Sequence, residues 1–443
     1  MPDYFTMSSA LLTRIRPALA SCALLLGGRL SLCAQSQPAA PDLSGQSDAS
    51  IREVLRVVAR HQLRAIKDGD YPAAITLDSA RAAEAPTGIA WSYPWGVTLY
   101  GALRSTDFTG DKEVEQFVLE HNRIAARDYT WLAQVKGKLS DEDWTTFTKD
   151  RGKIKVAGLV RLGNLDSCGA MGVQMLEGIL RHPDQETAEE KVAVARIADW
   201  IVNQQDRLPD GTCWRPKSKD ENGVWPPGTI WADDLYMGCP FLVRWAKYTG
   251  DGRYLTDAAQ QVLNMAGRLQ DTDGVWFHAY SEPRHEHSPF KWGRANGWIM
   301  VASVEILSAL PENHPLRARL LDVYRRQVAG VIKLQPASGV WRQVLDHPEL
   351  WEETSCTAMF SYAIARGVTR GWLPAEDLAA ARKAFAGICA DRLTPDGAVN
   401  GTCEGTNIGF VLDFYANRKR PDDDLHGRGV VLLAGSEILA AKK

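Results

Sequence analysis

The chain lacks most of the short signatures that announce a reaction or a partner. Its 443 residues hold no glycine-rich phosphate loop with its lysine, no G-x-S-x-G nucleophile elbow and no Cys–His pattern. Those absences remove the usual nucleotide-binding, serine-hydrolase and thiol-nucleophile readings. Basic clusters are missing as well: 51 Lys and Arg stand against 54 Asp and Glu, a net charge of −3, which argues against nucleic acid as a partner. No two cysteines beyond residue 34 have the close spacing of a zinc site, and His285 and His287 have no clear carboxylate or thiol set beside them. Neither a metal nor another cofactor is therefore expected. No apolar run approaches the roughly 18 residues of a membrane span, and no run of alternating β-branched residues marks a half-buried strand.

What is present is a hydrophobic content of 45% beside 24% charged residues, enough apolar side chain for one large core. Arg14 and Arg16 precede the apolar stretch Ala18 to Leu26, and Ser31-Leu32-Cys33-Ala34 offers a small-residue cleavage site. Residues 1–34 thus read as a secretory signal peptide, which implies a periplasmic or secreted protein. Its removal takes three arginines and one aspartate, so −3 becomes −5. Residues 35–50, rich in Ser, Pro, Ala and Gln, read as a disordered lead-in, and 51–443 as a single domain. Six cysteines remain there: Cys168, Cys213, Cys239, Cys356, Cys389 and Cys403. They read best as buried free thiols.

From Ile51 onward, apolar residues recur at helical spacing. The stretches are Ile51–Ile66, Gly96–Ser105, Val114–Trp131, Cys168–Leu180, Ala188–Gln204, Leu235–Lys247, Tyr254–Leu269, Asn296–Leu307, Leu316–Leu334, Cys356–Ala365, Ala375–Ala390 and Gly429–Ala440. Two internal echoes organise them. Asp107-Phe108-Thr109-Gly110-Asp111 is matched by Lys247-Tyr248-Thr249-Gly250-Asp251, a helix end, a glycine turn and a cap for the next helix. A loop glycine followed by a hydrophobic or aromatic residue recurs at Gly211, Gly274, Gly339 and Gly397, at intervals of 63, 65 and 58 residues. One helical hairpin fills such an interval, and the 409 residues after position 34 hold between six and seven of them. Hairpins that cannot bury their apolar faces alone would stack, most economically into a closed all-α ring of six, an (α/α)6 toroid, with an open solenoid as the alternative. In such a ring, loops of like position share one mouth.

The residues that carry chemistry fall at those loops. Trp231-Ala232-Asp233-Asp234-Leu235-Tyr236 sets two carboxylates at a helix entrance, where either aspartate is equally well explained as a cap. Asn164-Leu165-Asp166-Ser167-Cys168-Gly169 places another ahead of a small-residue helix start, and His278 follows the Gly274 loop. Trp292-Gly293-Arg294-Ala295-Asn296-Gly297-Trp298 offers a planar cation for a carboxylate beside flat faces for a sugar ring. Glu353, in Trp351-Glu352-Glu353-Thr354-Ser355-Cys356, reads as a helix cap or a pocket wall, and Cys403-Glu404-Gly405-Thr406 and Asp424-Leu425-His426-Gly427 are loop motifs that could border the mouth. Carboxylates, an arginine, aromatics and a histidine are the material of a carbohydrate site.

On these segments, taken in order along nearly the whole of the chain after residue 34, the sequence resembles the unsaturated rhamnogalacturonyl hydrolases, glycoside hydrolase family 105, which are related to the unsaturated glucuronyl hydrolases. The resemblance implies a six-hairpin (α/α)6 barrel and a small oligosaccharide substrate carrying a 4,5-unsaturated uronic acid at its non-reducing end. It implies Asp233 as the acid/base, Asp166 as its partner, and Arg294, Trp292, Trp298 and His278 as substrate-binding residues, and it leaves Asp234 as the helix cap. A helix N-terminus favours the charged form of Asp233, so a proton shared with a close Asp166 is expected to oppose it. The rival readings are an inverting glycoside hydrolase using Asp233 and Glu353 on saturated sugars, and a sugar-binding toroid without turnover. The identity of the uronic acid, the following sugar and the oligomeric state stay open.

Overall fold

A helix with one apolar stripe needs a neighbour to cover it, and this chain supplies neighbours in series. The computed structural model describes residues 41–149, 154–218, 220 and 223–441, and among them twelve helices have twelve residues or more. We number them α1 (Asp48–Arg60), α2 (Tyr93–Thr109), α3 (Lys112–Lys138), α4 (Gly169–Arg181), α5 (Ala188–Asp199) and α6 (Asp234–Thr249). They continue as α7 (Arg253–Leu269), α8 (Gly293–Ala309), α9 (Arg317–Lys333), α10 (Thr354–Thr369), α11 (Leu378–Asp391) and α12 (Leu425–Ala440). Each helical stretch read from the sequence falls on one of them. Three ends differ: α1 stops at Arg60, the stretch from Ala188 is α-helical only to Asp199, continuing as a π-turn, Trp200–Gln204, and the stretch from Ala375 opens with a 3-10 turn, Ala375–Asp377, before α11. At its start α1 reaches back to Asp48, capped by Ser47, within the stretch read as a lead-in. The signal-peptide stretch 1–34 lies outside the described residues, and among these no helix is long and apolar enough to cross a membrane.

The even-numbered helices pack in order, α2 on α4, α4 on α6, α6 on α8, α8 on α10 and α10 on α12, and α12 returns to α2. They are buried nearly all round, whereas α7 and α9 each bury one side. Glycine makes the closing contact: a Cβ at Gly101 of α2 would stand 2.2 Å from the Gly429 carbonyl oxygen of α12, and one at Gly429 2.2 Å from that of Val97. Backbone meets backbone there, and a side chain would part them.

The four repeated loops each lead from an odd-numbered helix into the next even-numbered one, which gathers them at one mouth of the ring. Gly211, Gly274, Gly339 and Gly397 have φ of 86°, 88°, 88° and 94°, a conformation open to glycine at little cost. Each donates its N–H to the carbonyl three residues before it. The same mouth holds strands, which the sequence reading did not expect. β1 (Thr229–Trp231), β2 (Ala279–Ser281) and β3 (Glu286–His287) form a small antiparallel sheet in that order. Strands of two and three residues are too short to show an alternation.

Towards the other end of the ring, the six even-numbered helices share a buried ion network. Glu305 of α8 accepts hydrogen bonds from Arg366 of α10 at 3.0 Å and from Tyr100 of α2 at 3.2 Å, and also from Tyr362 of α10. Its second oxygen lies 3.0 Å from Arg244 of α6. Arg366 reaches on to Glu437 of α12 at 2.7 Å, and Arg244 to Glu177 of α4 at 2.9 Å. Burial raises the Glu305 carboxyl, but the two arginines beside it win and hold it at about 2. Truncating Glu305 to Ala leaves Arg366 with Glu437 alone and Arg244 with Glu177 alone, and breaking a buried pair costs about 3–5 kcal/mol. The urea midpoint should drop accordingly, whereas Lys67→Ala, which breaks the exposed Lys67–Glu84 pair, should leave it in place.

Candidate active site

The sheet register builds the centre of the site. Trp231 pairs with Ala279, and the Ala232 N–H donates to the His278 carbonyl at 3.1 Å, so Asp233, one residue past Ala232, comes up against His278. Nε2 of His278 lies 3.3 Å from Oδ2 of Asp233. The geometry falls short of a hydrogen bond, and both atoms are buried without any other hydrogen-bond partner. Behind the ring, the Gly409 N–H donates to the Tyr415 hydroxyl at 3.2 Å, and that hydroxyl lies 2.8 Å from His278 Nδ1. Tyr415 thus has its own hydrogen free for Nδ1, and in that arrangement the imidazole proton is on Nε2, facing the carboxylate.

Asp233 stands at the head of α6 and makes no capping bond. Asp234 is not a cap either, which corrects the sequence reading. Its side chain is 1% exposed and bound to Arg215, whose Nε and Nη2 donate to its two oxygens at 3.0 and 2.6 Å. Arg215 also holds Asp166, Nη2 to Oδ2 at 3.1 Å, and its guanidinium lies 4.5 Å over the Trp231 ring. The hydrogen-bond partner of Asp166 is therefore Arg215 rather than Asp233, at variance with the shared proton expected above. Asp166 is nonetheless the carboxyl that the mouth perturbs, pushed up to about 6. Burial of its charge is the main cause, Arg215 opposes it, and the neighbouring charges of Asp234 and Asp233 add to it.

Trp292 and Trp298, at the head of α8, are each 1% exposed. Trp292 lies against His278 with ring centroids 4.5 Å apart, and Trp298 stacks on Tyr236 of α6 at 4.5 Å and 29°. Arg294 lies 4.6 Å over Trp292 and is itself buried. Its Nη1 donates to the Cys403 carbonyl at 2.5 Å and its Nη2 to the Glu404 carbonyl at 2.6 Å, so the arginine proposed as an anion anchor also pins the loop after Gly401. Glu353 is a cap: its oxygens accept from the Ser355 hydroxyl and from the N–H groups of Cys356 and Cys403, and it is 0% exposed.

The six residues singled out in the sequence thus gather around the heads of α4, α6 and α8. Arg215 and Tyr415 were not singled out, and nothing in their spacing marks them. Tyr93, 2.6 Å from His426 Nε2, was missed as well, although the His426 segment was noticed. Beside Arg215 and Asp234 opens a cavity of about 340 Å³, walled also by Asn164, Trp200, Gln205 and Trp214; Asp233 is not in its wall. Among the described residues no group of three or more His, Cys, Asp or Glu is arranged to hold a metal, and all six cysteines beyond residue 34 are buried and free. Because Arg215 lowers the Asp166 carboxyl and Asp234 raises it, carboxyl-detected NMR titration should find Asp166 shifted above about 6 in Arg215→Met and below it in Asp234→Asn.

Comparison with known proteins gives the chain a family. The sequence matches the family described as Glycosyl Hydrolase Family 88 over residues 73–442. It is 32% identical over 222 residues to the unsaturated 3S-rhamnoglycuronyl hydrolase of Alteromonas sp. (strain LOR), covering 48% of this chain and 52% of that protein. It is 26% identical over 251 residues to the unsaturated rhamnogalacturonyl hydrolase YesR of Bacillus subtilis, covering 56% of this chain and 70% of that one. Among solved structures, it is similar to a glycoside hydrolase from family 105 of C. acetobutylicum, with a TM-score of 0.64, 25% identity, and coverage of 79% of this chain and 94% of the other.

Proposed function

Given that the chain belongs to glycosyl hydrolase family 88, we propose that it removes a 4,5-unsaturated uronic acid from the non-reducing end of small lyase-generated oligosaccharides, of rhamnogalacturonan type first. The ring of even-numbered helices is, in this reading, the inner layer of an (α/α)6 toroid, and residues 1–34 direct the protein to export. The names of the two relatives support the substrate class. The observation that carries the reaction is the Asp233 carboxylate, partly exposed at a helix head with one buried oxygen unpartnered except for the approach of His278. It is a proton donor and acceptor with nothing else to hold.

An enol ether can be hydrated with one such group. Asp233, protonated, gives its proton to C4 of the double bond, and a water molecule adds its oxygen at C5. The water's second proton returns to the Asp233 carboxylate. The hemiketal so formed at C5 opens, its hydroxyl proton passing to the ring oxygen, and the hemiacetal this leaves at C1 collapses to the aldehyde, its own hydroxyl proton going to the departing oxygen, so the remaining saccharide leaves as an alcohol without direct protonation of the glycosidic oxygen by Asp233. Nε2–H of His278 orients the carboxylate, Asp166 with its raised pKa steadies the proton at the mouth, and Trp292 and Trp298 back the sugar ring. The Arg294 charge beneath them favours the sugar carboxylate. The rival inverting hydrolase needs Glu353 as a second acid or base, and the capping bonds of Glu353 leave it neither a free oxygen nor exposure to the mouth.

Asp233→Asn should lower the loss of ultraviolet absorbance from an unsaturated disaccharide by at least about 100-fold, the range of general acid–base catalysis, with an unchanged circular dichroism spectrum. Wild-type rates on a saturated and an unsaturated version of one disaccharide decide the reaction class. Equal turnover of the saturated sugar, or near-normal activity of the variant, would falsify the assignment.

A further inference from the structure

The cavity beside Arg215 takes no part in the hydration chemistry above. Its walls come from residues 163–165 ahead of Asp166, from Trp200, Gln205 and Asp206 after α5, and from residues 214–218 ahead of β1, with Asp234 beside them. A volume of about 340 Å³ stands at the lower end of the roughly 300–1,000 Å³ of ligand pockets. The π-turn shapes one wall. The Gln205 N–H donates to the Trp200 carbonyl at 2.8 Å, a bond that spans five residues, and both residues line the cavity. Wide turns of this kind recur at functional sites. Trp200 is 6% exposed and Trp214 half-buried, so two indoles supply the apolar surface.

The polar groups of the wall divide by what already holds them. Both oxygens of Asp234 are bound by Arg215. Arg215 commits Nε and Nη2 to Asp234 and Asp166, and among the described residues no acceptor takes its Nη1. Lys217 is exposed, and its ammonium has no ion pair among the described residues. Asn164 accepts from the Ser167 N–H and hydroxyl with its side-chain oxygen, at 3.0 and 2.6 Å, which leaves its NH2 over. Two cationic donors and an amide donor are thus unfilled in one cavity, and the carboxylate opposite them without a partner is that of the exposed Asp206. A guanidinium edge with an ammonium suits an oxyanion. Flat indoles with an amide and a lone carboxylate suit the ring and hydroxyls of a sugar. The cavity adjoins the mouth through Arg215, whose Nη2 lies 3.1 Å from Asp166 and whose guanidinium covers Trp231, two residues before Asp233.

We propose that this cavity is a subsite for a third sugar of the substrate, one that carries a carboxylate, with Lys217 and Nη1 of Arg215 on the carboxylate and Trp200 and Trp214 against the ring. The subsite rests on the hydration reaction proposed above. The unsaturated uronate lies at Asp233, the second sugar passes the Arg215–Trp231 pair, and the third, towards the reducing end, enters the cavity. Asp166 and Asp234 already balance the charge of Arg215, so Lys217 carries most of the selection for an anion. A neutral third sugar would meet the indoles and leave both cationic donors unmatched.

The test uses the full chain and the ultraviolet loss from an unsaturated disaccharide and two unsaturated trisaccharides. The trisaccharides are alike except for the third residue, a uronic acid in one and the matching neutral hexose in the other. The wild type should show kcat/KM roughly tenfold higher on the acidic trisaccharide, about 1.4 kcal/mol, as one added hydrogen bond to a charged group gives. The difference should lie in KM. Lys217→Gln should bring the ratio of the two trisaccharides to about one, and Lys217→Glu should bring it below one, both with the thermal midpoint of the wild type, because an exposed side chain is changed. A wild-type ratio near one, or a ratio that survives Lys217→Gln, overturns the subsite, while loss of the disaccharide double bond still upholds the reaction. A wild type that leaves all three double bonds intact overturns the reaction instead, and calorimetric titration with the same two trisaccharides then reads the cavity. Tighter binding of the acidic one, abolished by Lys217→Gln, keeps it as an acidic-sugar site; equal binding or none removes it.

Discussion

Glu305, shared by two arginines and two tyrosines in the middle of the ring, is the contact on which the rest of the fold depends. Apolar burial is non-directional: helices as evenly hydrophobic as α8 and α12 could slide along one another by a turn and still be covered. Hydrogen bonds to a charged group are directional. Arg244, Arg366, Tyr100 and Tyr362 reach Glu305 from three other helices, and Glu177 and Glu437 extend the set to all six. The network therefore sets the relative heights of the even-numbered helices. Its ions give back in desolvation much of what they gain in attraction, so its effect is on arrangement more than on net stability.

Fixed heights at one end mean level helix heads at the other. Asp166, Asp233, Arg294, Glu353 and Asp424 stand at or near the heads of five different helices, and Tyr93 at the head of the sixth. Each head carries partial positive charge, roughly half an elementary charge, that fades within a turn. An enclosed mouth of this kind favours an anionic ligand and tolerates three neighbouring carboxylates around one arginine. The Tyr236–Trp298 stack lies between mouth and network, with Tyr236 buried and its hydroxyl unpartnered. Tyr236 is on the same helix as Arg244 and Trp298 on the same helix as Glu305, so displacement of the network would move the floor of the site.

The helices were legible because their periodicity and their turn glycines repeat, and the period of the Gly211-type loops follows from one hairpin per unit. The mouth was legible in part. Asp233, Asp166, His278, Trp292, Arg294 and Trp298 stood out by residue type, but their partners did not. Arg215 lies in a loop of ordinary composition, and its importance comes from the distance to Asp166 and Asp234, which only the fold brings about. The short sheet was invisible because two or three residues carry no period, yet its register is what sets Asp233 against His278. Asp234 was misread as a cap because a cap needs only a local signal, and the ion pair that claims it comes from nineteen residues away.

The same accounting distinguishes the three aspartates better than their positions do. Asp234 is bound at both oxygens by Arg215, and Asp166 shares that guanidinium. Neither can move a proton without disturbing an ion pair. Asp233 alone of the three is paired with no arginine, with His278 close by and poised by Tyr415. A reaction that takes a proton from one carboxylate and returns another to it needs that inequality: one group outside any arginine pair among neighbours that an arginine holds. Arg215 creates it by binding the other two.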